Sequence, residues 1–249
     1  AFEAALERWP GDALTMRGMA AACRRSGQWL TAEHWFRQAQ SLDPRNPVVL
    51  VALGAHLTFM HRYDEALVLV DRAVEISPEH RVAHFASFEL LLLGWGDVDA
   101  AEAVLERAPG PRDAVWYDYA FRRACCAGDY LEAADVMREI RPDLQSPLRR
   151  CLVATFAGDA GGAGICEEAV TRYRALRDEA PESQSYRVLL AKACSLAGRH
   201  DEAMTEAASA VAMRPIEIDA LGHNAARLVQ AQVLGRAARV EEAVALVED

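Results

Sequence analysis

Residues 28–78, QWLTAEHWFRQAQSLDPRNPVVLVALGAHLTFMHRYDEALVLVDRAVEISP, contain one unit of sequence twice. The unit places a small, a large and a small residue at helical spacing, followed by a proline. Its two copies are Ala32, Phe36, Ala39 and Pro44, and, 34 residues later, Ala66, Val70, Ala73 and Pro78. A fixed period of roughly 20 to 50 residues is typical of repeat proteins, in which each unit buries its apolar face by stacking on the next.

This order of residues resembles the second helix of the tetratricopeptide repeat (TPR) family. Each repeat of that family is a helical hairpin, and Gly54 and Ala66 stand where the two helices of a hairpin approach each other closely. The resemblance covers essentially the whole chain, although no unit has the family's tryptophan in its first helix. It implies an all-α TPR helical-hairpin solenoid, a right-handed superhelix of about seven repeats with a half repeat at the N-terminus.

The repeat pattern also divides the chain, and the expected single TPR array spans residues 1–249. Its parts are the second helix of a truncated repeat at 1–10, three repeats at 12–109, irregular repeats at 110–181 with a glycine-rich insertion at 158–164, and C-terminal repeats at 182–249. In the third repeat, Gly96-Asp97 is the predicted inter-helix turn, and counting back from it puts Glu89 where the family has a small residue. Because the chain starts inside a helix, we expect it to be a piece of a longer protein.

Charge and cysteine content limit the possible partners. The formal net charge of −10 argues against general nucleic-acid binding, because phosphate contacts need a basic surface. The longest apolar run, residues 48–60, is interrupted by His56 and is too short to span a bilayer. Six cysteines without a C-x-x-C pair are predicted to be reduced core thiols. We therefore expect a cytoplasmic protein with neither a nucleic-acid nor a membrane partner.

Motifs for catalysis or cofactor binding are weak. His80 and His84 have the i, i+4 spacing of a metal-binding pair, but no third ligand accompanies them, which favours two solvated histidines at a helix start. The glycine-rich segment 158–164 follows a helix rather than a strand and lacks the Lys-Ser/Thr pair of a phosphate loop, which favours a flexible inter-helix loop. No nucleophile, base and orienting partner coincide. The sequence predicts no enzymatic activity, no cofactor and no metal.

Acidic pairs recur at one position of the repeat, which is predicted to be the first turn of a second helix. The pairs are Asp64-Glu65, Glu167-Glu168, Asp201-Glu202 and Glu241-Glu242. Carboxylates at this place complement the positive end of the helix dipole. Recurrence at one repeat position is expected of a structural role and not of a catalytic pair.

The concave surface is the remaining candidate for a site. In a TPR array the first helices line the inner groove, and the second, fifth, ninth and twelfth residues of a repeat point into it. The resemblance implies peptide-groove candidates at Arg17, Arg24, Val48, Val51, Ala55, Ala86, Leu90, Asp118, Arg122, Leu148, Leu152, Val188 and Lys192. An apolar middle bordered by cations would suit a protein or peptide segment with apolar anchors and acidic flanks. The alternative is that neighbouring repeats bury these apolar residues. The Lys-Asn-Asn-Lys-Arg set with which some TPR domains grip a terminal carboxylate is absent.

These features predict a non-enzymatic protein-protein interaction scaffold that binds a peptide or helix in its concave groove, as a regulatory part of a larger protein. The alternative is a structural self-assembly module that stacks through the truncated N-terminal face, which carries Phe2, Leu6 and Trp9. A narrower resemblance, in the stretch 203–220, is to the C-terminal TPR region of multidomain bacterial signalling proteins.

Overall fold

The computed structural model describes residues 11–140, 145–216 and 218–248, in which 14 α-helices and no strands are found. In chain order the helices are α1 Ala13–Arg25, α2 Trp29–Leu42, α3 Pro47–Phe59, α4 Tyr63–Ile76, α5 Arg81–Leu90, α6 Val98–Arg107, α7 Ala114–Ala127, α8 Tyr130–Glu139, α9 Pro147–Phe156, α10 Gly162–Glu179, α11 Gln184–Leu196, α12 His200–Met213, α13 Ala220–Arg236 and α14 Val240–Glu248. Phe2, Leu6 and Trp9 lie outside the described residues. None of the described helices is long and apolar enough to cross a membrane.

Two compact units divide the chain, one of residues 1–24 and 28–136 and the other of residues 25–27 and 137–249. Within each unit, odd-numbered helices are the first and even-numbered helices the second helices of successive hairpins. In the first unit α3 packs on α4 and α4 on α5, and in the second unit α9 to α14 pack each on the next. The predicted all-α arrangement of helical hairpins is confirmed.

The second hairpin shows why small residues recur. A Cβ atom at Gly54 would lie 2.8 Å from Val70 Cγ2 and 3.3 Å from the Ala66 carbonyl oxygen, so α3 and α4 touch through their backbones. Around this contact, Phe36, Leu53, Ala66 and Val70 belong to one buried cluster. Their burial removes apolar surface from water, which is the main stabilising contribution to such a hairpin stack.

The glycine-rich segment is partly helical, which differs from the loop expected for residues 158–164. Gly158 forms the turn with a φ of 72°, and α10 already begins at Gly162. A Cβ atom on Gly162 would lie 3.2 Å from the Ala154 carbonyl oxygen of α9. Gly162 therefore allows the close approach of α9 and α10, as Gly54 does for α3 and α4.

The third hairpin contains one more residue than the second. Helix α5 continues as a π-helical segment, Leu91–Trp95, and the stretch 81–98 corresponds to 47–63 of the second hairpin. A π-helical turn takes up one inserted residue without ending the helix. Counted from the start of the helix, Phe88 occupies the place of Gly54 and is fully buried. The position of Glu89 is thereby explained, because it lies one residue beyond the contact between the two helices.

Two cysteines are oxidised, and the prediction that all six are reduced thiols is wrong for them. Cys151 of α9 and Cys166 of α10 form a disulfide whose Cα atoms are 4.6 Å apart. The other four cysteines, Cys23, Cys125, Cys126 and Cys194, are not part of a disulfide. A search for C-x-x-C pairs misses the disulfide, because its cysteines are 15 residues apart and meet only when the hairpin closes.

Candidate functional site

The sides of the first helices that are not packed against second helices form what we call the first-helix face of each unit. In the first unit it carries Arg17 and Arg24 of α1, Val48, Val51 and Ala55 of α3, Ala86 of α5, and Asp118 and Arg122 of α7, all of them at least partly exposed. The remaining turns of α3 point inward, where Leu50, Leu53 and Leu57 are fully buried. The face is therefore a real surface in the first unit.

Leu90 does not belong to this face. Its exposure is 2%, and it packs in the cluster that contains Leu53 and Leu57. The prediction that Leu90 lines the groove is therefore wrong. Because the π-helical segment holds one extra residue, the residues before it are offset by one position from a count made back from the turn. Glu89 therefore faces outward and Leu90 inward.

Glu89 makes a polar contact across neighbouring first helices. Its carboxylate accepts a hydrogen bond of 2.8 Å from Arg122 of α7. The Arg122 guanidinium carbon lies 5.3 Å from the centroid of the Tyr119 ring, which stacks on Phe85 at 4.2 Å. Burial raises the pKa of Tyr119, and the nearby carboxylate of Glu89 adds to this shift. An ion pair over stacked rings thus lies between α5 and α7.

A cation also lies beside aromatic rings at the α1 part of the face. The guanidinium carbon of Arg24 is 5.2 Å from the centroid of Phe59 and 5.7 Å from that of Phe36. A cation over an aromatic ring is attracted by the quadrupole of the ring. The first unit therefore offers an apolar row on α3 between the arginines of α1 and the Arg122 pair of α7.

The first-helix face of the second unit contains a cavity of about 280 Å³. It lies between α9, α11 and α13 and is lined by Leu148, Leu152, Lys192, Ser195, Leu196, Val229, Gln232, Val233 and Arg236. The structure thus brings together three predicted residues, Leu148, Leu152 and Lys192. Val188, one turn before Lys192, packs partly buried against the core beside the cavity and does not line it.

The sequence-based prediction missed the wall that α13 contributes. The long first helix of the seventh repeat, Ala220–Arg236, contains none of the predicted groove residues. The 34-residue period would have found this wall, because Val229 lies 34 residues after Ser195.

The polar side chains of the cavity are two cations, Lys192 and Arg236, the hydroxyl of Ser195 and the amide of Gln232. Burial lowers the pKa of the Lys192 ammonium group, which makes no ion pair with any described residue. Ser195 is 6% exposed, and its hydroxyl oxygen has no hydrogen-bond partner among the described residues. The Arg236 guanidinium carbon lies 5.1 Å from the centroid of the Phe156 ring. Since no carboxylate of the described residues lines the cavity, its charged groups favour an anion.

The acidic pairs form ion pairs on the other side of the hairpins. Arg62 contacts Glu33 at 2.9 Å and Glu65 at 2.6 Å. Arg199 in the second unit contacts Glu167 at 3.1 Å and Glu202 at 2.5 Å. Each arginine joins two successive second helices, which supports the structural interpretation of the acidic pairs. The placement of Glu167-Glu168 in a first helical turn is wrong, because α10 begins earlier, at Gly162.

Of the two histidines considered as a metal pair, His80 caps helix α5 and His84 lies in its first turn. The His80 ring accepts a hydrogen bond from the Ala83 amide, and His84 Nε2 lies 2.9 Å from the Pro78 carbonyl oxygen. Within the ranges that the structure describes, no group of three His, Cys, Asp or Glu side chains is placed to hold a metal ion.

The chain is similar to solved structures of TPR proteins. A TPR protein from Parabacteroides merdae is 16% identical, with 94% of this chain and 90% of that chain covered at a TM-score of 0.66. The Cut9–Hcn1 hetero-tetramer of the APC/C is 12% identical over 94% of this chain and 45% of that chain, with a TM-score of 0.57. Yeast Tom70 is 15% identical over 97% and 61%, with a TM-score of 0.51. No protein-family model and no curated protein matches the sequence.

Proposed function

Because the chain has the tetratricopeptide-repeat fold, we propose that it is a non-enzymatic protein-interaction scaffold that binds a peptide or helix of another protein along its first-helix faces. The observation that carries this proposal is the apolar row of Val48, Val51 and Ala55 on α3, which is partly exposed, while the other side of this helix is packed into the core. The Cut9–Hcn1 neighbour, which is a complex of two proteins, is consistent with such a role.

The partner segment would carry apolar anchors with acidic flanks. Apolar anchors would lie on the α3 row in the first unit and between Leu148 and Leu152 in the second. Acidic groups would lie near Arg17 and Arg24. Arrangements of this kind use buried apolar contacts for affinity and charges at the rim for orientation and association rate. Binding would require no bond-making chemistry, and the array would act as the regulatory part of a larger protein.

Selection from a random-peptide library displayed on phage tests this proposal. We expect peptides selected on the wild-type chain to lose binding to the Val51→Asp and Leu152→Asp variants, because each change places a charge where an apolar side chain should dock. Val68→Asp is the matched control, since Val68 is 68% exposed and lies on α4, away from the face. Circular dichroism checks that helical content is retained. Equal binding to all four proteins, or the absence of selected peptides, would reject the proposal.

The expected cytoplasmic location belongs to the same proposal and can be tested on the disulfide. Cytoplasmic proteins keep their thiols reduced as a rule. Acid quenching of cells, followed by alkylation in denaturant, would then modify Cys151 and Cys166, which burial would shield from the reagent in the folded chain. Protection of both residues from the reagent would place the protein in an oxidising compartment instead.

End-to-end self-assembly is the second candidate function, and one observation favours it. Helix α14 leaves Val240, Val244 and Val247 exposed on one side, at 59%, 48% and 66%. These valines and the N-terminal Phe2 and Trp9 could stack on each other in successive copies. Sedimentation at rising concentration would show a growing mass that the Phe2→Ser/Trp9→Ser and Val244→Asp variants reduce. A monomer at every concentration would exclude this function.

A further inference from the structure

The cavity between α9, α11 and α13 has the composition of a small-molecule site. Such sites have volumes of about 300–1,000 Å³ and combine apolar walls with a few converging polar groups. This cavity is near the lower limit, at about 280 Å³. Its walls are the aliphatic side chains of Leu148, Leu152, Val229 and Val233, so that a narrow aliphatic group would find contacts on several sides.

Two polar groups of the cavity lie together on α11. Lys192 and Ser195 are three residues apart, and side chains at this spacing lie on the same side of a helix. Only 6% of Ser195 is exposed, yet its hydroxyl has no hydrogen-bond partner among the described residues. A buried hydroxyl without a hydrogen bond is destabilising. A ligand atom that accepts a hydrogen bond from Ser195 Oγ would remove this penalty. Because this oxygen has almost no accessible surface, the contact requires a rotation of the Ser195 side chain about χ1.

Lys192 determines the sign of the ligand's charge. It is the one lysine of the sequence, it is half-buried, and no described carboxylate pairs with it. Arg236 adds a second positive charge on α13, and none of the Asp or Glu residues that the structure describes lines the cavity. The charge of the cavity is thus positive, although the whole chain has a net charge of −10. An anionic group is therefore the complementary occupant.

We propose that this cavity binds a small aliphatic carboxylic acid, whose carboxylate accepts hydrogen bonds from Lys192 Nζ and Ser195 Oγ and whose hydrocarbon chain lies against Leu148, Leu152, Val229 and Val233. The inference goes beyond the scaffold function, because it needs no protein partner. The acid would occupy the second unit's part of the first-helix face. A bound acid and a partner side chain inserted between Leu148 and Leu152 would consequently exclude each other.

The single lysine makes the proposal directly measurable. Reductive methylation with ¹³C-formaldehyde keeps the charge of the amine and places an NMR probe on Lys192. The probe used is octanoate, compared with octanol and octylamine, which share its chain but not its charge. We expect octanoate to shift the Lys192 signal saturably. Burial lowers the pKa of free Lys192, and bound carboxylate should raise it again. Octanol should bind about tenfold more weakly, and octylamine should leave the signal unchanged.

Variants test the same contacts by calorimetry with unmodified protein. Lys192→Met should weaken octanoate binding about tenfold or more, and Ser195→Ala by a smaller factor, because each removes one hydrogen bond to the carboxylate. Leu148→Asp, which adds a carboxylate on the opposite wall, should also abolish binding and provides a second variant if Lys192→Met fails to fold. Arg172→Met is the control for loss of one positive charge, since Arg172 is exposed on α10 and outside the cavity.

Three results would overturn the proposal. The first is equal affinity for octanoate and octanol, which would indicate an apolar cavity without a carboxylate site. The second is unchanged octanoate binding in both Lys192→Met and Leu148→Asp. The third is the absence of a saturable shift at Lys192. None of these results concerns the peptide selection, so this proposal and the scaffold function can fail independently.

Discussion

The carboxylate of Glu89 on α5 lies 2.8 Å from the guanidinium of Arg122 on α7, and this ion pair joins two neighbouring first helices of the first unit. Both side chains remain partly exposed, at 41% and 33%. Ion pairs of this exposure contribute only about 0–1 kcal/mol to stability. The ion pair therefore lies at the surface, whereas Phe88, the residue before Glu89, is buried in the core.

Substitutions at these two adjacent residues test the register that the π-helical segment sets. Phe88→Ala should reduce the free energy of unfolding by about 3–5 kcal/mol, because it leaves a cavity in the core. Glu89→Ala should reduce it by less than about 1 kcal/mol. Urea unfolding followed by circular dichroism measures both. If Glu89→Ala were the more destabilising change, the register counted back from Gly96-Asp97 would be correct instead.

Gly54→Ala should destabilise the first unit by about 1–3 kcal/mol through overpacking, since the new Cβ would lie 2.8 Å from Val70 Cγ2. Gly235→Ala in α13 is the matched control, because no atom lies within 4 Å of its added Cβ. The control should stabilise its helix by about 0.5–1 kcal/mol. Thermal unfolding of both variants checks the prediction, which fails if Gly54→Ala is neutral.

Stability should fall on mild acidification because of His56. This side chain is fully buried beside Phe36, at 5.2 Å between ring centroids, and burial lowers its pKa, with Arg24 adding to the effect. Of the other nearby charges, Arg62 lowers this pKa further and Glu33 raises it. The folded state thus binds the proton more weakly than the unfolded state does. The contribution is present above the unfolded pKa of about 6.5 and is lost as the pH falls towards the folded pKa.

The size of this effect can be measured against a variant that does not titrate. Between these two pKa values the wild-type free energy of unfolding should fall by up to about 1.4 kcal/mol per pH unit from this residue alone. The His56→Phe variant lacks this contribution because phenylalanine does not titrate. This holds whatever the stability of the variant at neutral pH. Denaturant unfolding at several pH values should therefore show a shallower acid dependence for the variant. Parallel pH dependences would show that His56 titrates normally.

The disulfide predicts a defined thiol count and a loss of stability on reduction. The unfolded but unreduced chain should expose the four free thiols of Cys23, Cys125, Cys126 and Cys194, and two more after reduction. A cross-link that closes a 15-residue loop contributes about 3 kcal/mol in the chain-entropy description. Thiol titration and unfolding with and without dithiothreitol measure both quantities. Six reactive thiols before reduction would contradict the Cys151–Cys166 bond.

The helical hairpins could be predicted from the sequence because small residues and prolines recur at a fixed distance. Ala66 and Ala203 are fully buried where two helices meet, as their positions in the repeat require. Periodicity reports which residues pack, since packing imposes the period. The groove positions that the resemblance implies include Leu148 and Leu152, which the structure places in the wall of the cavity.

The features that the sequence did not reveal depend on local exceptions to the period. One inserted residue is absorbed as a π-helical turn, which moves Leu90 into the core, and no repeat position signals where the insertion lies. The disulfide between Cys151 and Cys166 depends on how two helices close on each other. Pairings of this kind follow from three-dimensional packing and cannot be read from spacing along the chain.

The central claim, that a partner binds to the first-helix faces, is tested most directly by hydrogen–deuterium exchange with a selected peptide bound. In the first unit we expect amide protection on α3, α5 and α7, and in the second unit on α9, α11 and α13, with α2, α4, α10 and α12 unchanged. Protection confined to the second helices, or spread equally over both sets, would contradict the claim.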